Sequence, residues 1–106
     1  MIRERVTAAR RQQAERYAGT AWRLNADVPG PDLLQNFPLT EAASRMLDDK
    51  IYAGVLTRRG GTRVHRLAWT VADLRGLDRP DVTEVDIALR LRTGQPLLLS
   101  ALAATS

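Results

Sequence analysis

Four arginines, Arg58, Arg59, Arg63 and Arg66, are the residues whose type and spacing could do chemistry here. Arg58 and Arg59 precede Gly60-Gly61, and Arg63 and Arg66 follow within two helical turns. No acidic residue lies between Asp49 and Asp73, whereas the same stretch also holds Lys50. A guanidinium offers a planar fork of N–H donors that fits phosphate or carboxylate. Free backbone amides at a helix start favour the same anions. The segment therefore reads as an anion contact: nucleotide phosphate, nucleic acid, or a carboxylate surface on a neighbouring subunit. A solvated basic loop would carry the same residues. GC-rich codon usage would explain fifteen arginines against the single Lys50, but not where they cluster.

Other chemistries find no residues to carry them. None of the seven glycines opens a G-x-x-x-x-G-K-[ST] phosphate loop or a G-x-G-x-x-G dinucleotide turn. The chain has no cysteine and one histidine, so no disulfide, thiolate site or multi-histidine metal site is expected. His65 sits one turn before Trp69 and reads as a helix-surface residue. Asp48-Asp49 is the acidic dipeptide, but neighbouring helical residues point apart, which suits a solvated face better than an acid/base pair. No catalytic residue is expected within this chain.

The elements that must position the arginines read as helices. Residues 2–18 are good helix formers without Gly or Pro until Gly19. Ile2, Val6, Ala9 and Tyr17 make only a thin apolar stripe, as expected of a helix that packs weakly within its own chain. Residues 20–38 form a Pro/Gly-rich connector. Within it Trp22, Leu24 and Val28 alternate as a short extended segment would, and Asp32 to Phe37 has room for one or two helical turns. Thr40 caps a helix over about 40–53, which Gly54 ends. A basic loop, 57–62, then leads into a helix over 62–75. There Val64, Leu67, Ala68, Val71 and Leu74 form the core stripe, and Gly76 is the C′ residue. Thr83 to Asp86 resembles a capping box for a last helix that ends at Gly94.

These elements predict an all-α fold, a small irregular bundle of about four helices with the connector after the first. The parts are 1–19 as an N-terminal connecting helix, 20–39 as connector, 40–94 as helical core, and 95–106 as a tail. At 106 residues and 44% hydrophobic content, one modest core is affordable, built on Leu, Val, Ile and Ala because only 5% of residues are aromatic. The net charge is +4. No apolar run approaches the roughly 20 residues that span a bilayer, and the charged N-terminus is unlike a signal peptide. A cytoplasmic location without membrane contact is expected.

The run Leu56-Thr57-Arg58-Arg59-Gly60, followed by Arg63 to Leu74, resembles the C-terminal segment of magnesium-chelatase-like AAA+ ATPases. The pattern there is close to L-S-A-R-G, then R-I-L-R-V-A-R-T-I-A-D-L. The group includes the chelatase ATPase subunit and bacterial competence-associated proteins. Ala9 to Gln13 with Arg16 is similar to the family's A-R-x-x-Q-x-x-R helix. Leu24-Asn25-Ala26 and Phe37-Pro38-Leu39 match its connector, and Val85 to Arg92 matches its closing E-A-L-x-x-R helix. This sequence departs from the pattern at Thr57-Arg58, where the family has Ser-Ala, and at Trp69, where it has Arg.

The resemblance implies the C-terminal helical lid of such an ATPase, with the Walker and sensor 1 elements upstream. It implies a sensor-2-type role for Arg59, reaching the nucleotide's phosphates, with Arg63 and Arg66 as further candidates. ATP and Mg would belong to the full-length parent, with none bound by this segment alone. Its partners would be the upstream core and the other subunits of a homo-oligomeric ring. The alternatives are a basic helical nucleic-acid-binding module with DNA as partner, and a subunit-interaction module without ligand.

Overall fold

The computed structural model describes residues 2–93. They form five α-helices and one 3-10 turn: α1 (Ile2–Arg16), the turn (Asn25–Asp27), α2 (Gly30–Asn36), α3 (Glu41–Tyr52), α4 (Arg58–Leu74) and α5 (Val82–Thr93). No strand occurs among the described residues. The expected tail, 95–106, lies outside them. No helix among them is long and apolar enough to cross a membrane.

The all-α expectation holds, with one helix more than the four counted from sequence. The addition is α2, where Asp32 to Phe37 had room for a turn or two. Pro31 sits in its first turn, where a missing N–H costs nothing. The alternation of Trp22, Leu24 and Val28 gives no strand. Asn25–Asp27 curls into the 3-10 turn, leaving Leu24 exposed and Val28 buried.

α4 is the central element, and every other helix packs on it or on its neighbours. It begins four residues earlier than the sequence pattern suggests. Thr57 is the N-cap, its hydroxyl accepting from the Gly60 N–H at 3.0 Å. The glycine pair looks like a loop because each glycine costs a helix about 1 kcal/mol relative to alanine. Tertiary packing outweighs that cost. A Cβ on Gly61 would stand 2.6 Å from Ile51 Cδ1, so the bare backbone lets α3 approach closely. The basic segment is thus the opening turn of a helix, not a loop.

Leu39, Ala43, Leu47, Val64, Ala68, Val85 and Ala88 form the main core between α3, α4 and α5. This is the aliphatic core that the composition predicts. The aromatic residues other than the exposed Tyr52 instead gather in a second cluster. Tyr17, Val28, Leu33 and Trp69 are buried there, with Trp22 and Phe37 packed against them. Tyr17 meets Phe37 edge-on at 5.2 Å, and Phe37 meets Trp69 edge-on at 6.4 Å.

Thr40 caps α3 as expected, accepting from Ala43 N. Gly76 ends α4 with φ +71°, a conformation that favours glycine. α5 starts two residues earlier than a cap at Thr83 predicts, at Val82. Glu84 Oε1 accepts the Asp81 N–H at 2.7 Å, while Asp86 pairs with Arg90 on the surface. The nearby α3 start is bonded to the residues before α5. Thr40 Oγ1 donates to Asp81, and Thr40 N donates to the Pro80 carbonyl.

Candidate functional site

The four arginines of α4 do not act as one patch. Arg58 and Arg59 occupy its first two positions, and successive helical residues point about 100° apart. Arg58 turns toward a groove of about 760 Å³ between α2, α3 and α4. Leu34, Leu39, Leu47 and Ile51 supply its apolar lining, and Asp48 stands with Arg58 among the polar groups.

Arg59, Arg63 and Arg66 share one stripe, because spacings of four and three return to the same helix face. Arg59 and Arg63 are exposed. No ion pair holds either of them among the described residues. Arg66 is half-buried and already engaged, donating to the Val28 carbonyl at 2.8 Å. The structure therefore brings Arg59 and Arg63 together as free cations, sets Arg66 one turn further as a tie to the connector, and turns Arg58 away.

The electrostatics of this end are uncompensated. The first turn of α4 contains no acidic residue. The helix dipole already places positive partial charge there, and each exposed cation near it costs about 0.3–1 kcal/mol. An anion at Arg59 and Arg63 would reverse the sign of that interaction.

His65 is not the surface residue expected from sequence. It is 4% exposed, and its Nε2 lies 2.8 Å from the Phe37 carbonyl. A carbonyl only accepts, so Nε2 is the protonated ring nitrogen in this contact. Trp69 Nε1 donates to the same oxygen at 2.8 Å. Both rings thereby fasten the end of α2 to α4. The spacing of His65 and Trp69 was visible in sequence, but the carbonyl that unites them was not.

Burial pushes the His65 pKa below its ordinary value, and the Arg66 charge adds to that, against the opposing bond to Phe37. The unfolded chain then takes up its proton at higher pH than the folded one. Stability should be full above the ordinary histidine pKa of about 6.5, and should fall as pH drops through it toward the lower folded value. The slope cannot exceed about 1.4 kcal/mol per pH unit for one proton. Urea midpoints at about pH 8 and about pH 5 should show this loss, and a His65→Gln chain should lack it.

A second polar centre joins residues that the sequence offered only as separate parts of the family resemblance, with no sign that they meet. Asp73, 1% exposed, receives the Arg16 guanidinium on both carboxylate oxygens. The same guanidinium donates to Asn25 Oδ1 at 3.1 Å and lies 4.2 Å from the centre of the Trp69 ring. Asn25 Nδ2 donates to Asp73 at 2.9 Å and to Thr70 at 3.2 Å. Tyr17 donates its hydroxyl proton to Asn25 Oδ1, and the Asn25 N–H donates to Gln13 Oε1. Burial by itself would lower the Arg16 pKa, but the hydrogen bond and charge of Asp73 outweigh it and raise the value. Burial raises the Tyr17 pKa against the opposing influence of Arg16. This centre is closed and satisfied, which marks it as a joint rather than a ligand site.

Among the described residues no group of three or more His, Cys, Asp or Glu could hold a metal ion. The family described as "Magnesium chelatase, subunit ChlI C-terminal" matches residues 1–92. The uncharacterised protein Rv2897c of Mycobacterium tuberculosis is 40% identical over 91 residues, 86% of this chain. The uncharacterised protein Mb2921c of Mycobacterium bovis matches equally. The chain spans 18% of the length of each of these relatives. No solved structure matches it. The chain belongs to the magnesium chelatase subunit ChlI C-terminal family.

Proposed function

We propose that this domain is the C-terminal helical lid of a magnesium-chelatase-like AAA+ ATPase, and that the start of α4 contacts the nucleotide's phosphates. The observation that carries the reading is the pair Arg59 and Arg63, exposed and unpaired among the described residues on one stripe of α4. Arg59 is the leading contact, because among the arginines of that stripe it stands nearest the free amides of the helix start. Arg63 supports it from the next turn, and Arg66 stands one turn further, tied to the Val28 carbonyl. ATP, Mg and the Walker elements belong to the upstream core, and further subunits complete a ring. Differential contact with ATP and ADP then shifts the lid between positions.

The size of the stripe favours a nucleotide over nucleic acid. Residues four apart on a helix are separated by about 6 Å along its axis, the scale of one polyphosphate group. Steep, salt-dependent duplex binding draws on roughly 6–10 phosphate contacts. The isolated chain should therefore leave ATP unhydrolysed and bind duplex DNA weakly, with a shallow salt slope. A titration at low salt that gave tight binding with a steep slope would overturn the lid reading in favour of a nucleic-acid module.

A further inference from the structure

We propose that Arg16 is a positioning residue that makes α1 and α4 a single lever, so that an anion at the start of α4 alters where α1 points. This rests on the proposed phosphate contact at Arg59.

The geometry begins with α4 itself. Arg59, Arg66 and Asp73 recur every seven residues. Seven residues are close to two full turns, so the three lie nearly in line along about 21 Å of one rigid helix. Each does something different. Arg59 is exposed at the cationic end. Arg66 holds the connector through the Val28 carbonyl. Asp73 holds α1 through Arg16.

The joint at Asp73 is polar where the rest of the bundle is apolar. α3, α4 and α5 share the aliphatic core. α1 and the residue that follows it bury Ala9, Gln13 and Tyr17, while Arg16 is half-buried. Val6 stays partly exposed at 37%. Little apolar area thus ties α1 down, and orientation falls to directional bonds. Arg16 makes them to two elements at once, Asp73 on α4 and Asn25 in the connector. A bidentate fork fixes angle as well as distance, which a lysine cannot do.

Two measurements test this together. The chain has no cysteine, so spin labels can be placed at Ala14→Cys on α1 and Ala42→Cys on α3, with Ala42→Cys and Leu91→Cys as the core control. Arg16→Lys should broaden the α1–α3 distance distribution and leave the control pair unchanged. In the intact ATPase, Arg16→Lys and Arg16→Ala should lower kcat about tenfold while KM for ATP stays within about twofold. Arg59→Ala should raise KM. Should the alanine variant unfold, the lysine variant decides. An unbroadened distribution, or a wild-type kcat in Arg16→Lys, overturns the lever while leaving the phosphate contact standing. An Arg59→Ala enzyme with unchanged KM and kcat instead removes the phosphate reading on which the lever rests.

Discussion

Arg59→Ala is expected to cost an intact ATPase carrying this domain about ten- to hundredfold in kcat/KM for ATP, while the domain itself stays folded. A hydrogen bond to a charged group contributes about 1.5–3 kcal/mol, and each 1.4 kcal/mol is tenfold. The fold should survive because Arg59 is exposed and its removal relieves charge at the positive end of α4. Arg58→Ala is the internal comparison. Arg58 faces the groove beside Asp48, off the stripe, so its loss should change kcat/KM by less than about threefold. Steady-state ATPase rates for the two variants, with thermal melts of each, make the check. Equal losses would show that charge alone matters at this helix start and that the stripe geometry does not.

Asp73→Ala is expected to cost the chain about 3–5 kcal/mol of stability, because it strands the Arg16 guanidinium, whose side chain is 11% exposed, without its carboxylate. Asn25 Nδ2 would lose one of its two acceptors in the same step, keeping Thr70. A domain of this size has about 5–15 kcal/mol in total, so the variant should melt far below the parent or fail to fold at 37 °C. The surface pair Arg45–Glu41 gives the contrast. Both side chains are more than two-thirds exposed, and Glu41→Ala should cost less than about 1 kcal/mol. Urea titrations of the two variants measure the difference. A loss at Asp73 as small as at Glu41 would mean that the closed network contributes nothing beyond solvated charge.

Much of the fold was legible because amphipathic helices announce themselves locally. The spacing of Val64, Ala68 and Val71 placed α4, Thr40 marked the start of α3, and Gly76 marked a stop. The elements misjudged were those where local preference and tertiary contact disagree. Gly60-Gly61 is a poor helix sequence, yet Ile51 occupies the space a side chain would need. Thr83 and Asp81 are both plausible N-caps. The contacts of Pro80 and Asp81 with Thr40 accompany the second.

The charge of the arginine cluster and its freedom from acids were determined by sequence alone; its place inside the first turns of α4, rather than in a loop before a helix, was not. Helical periodicity also set Arg59, Arg63, Arg66 and Asp73 on one stripe once the helix start was known. What only the tertiary structure decided is what each of them meets. Arg59 and Arg63 reach solvent, Arg66 is committed to Val28, and Asp73 is buried under Arg16, 57 residues away in the chain. The physical reason is range. Helix preference and periodicity act over a few residues and can be read from them. Burial and pairing depend on which distant segment folds over a given face, and here that segment is α1 with its connector.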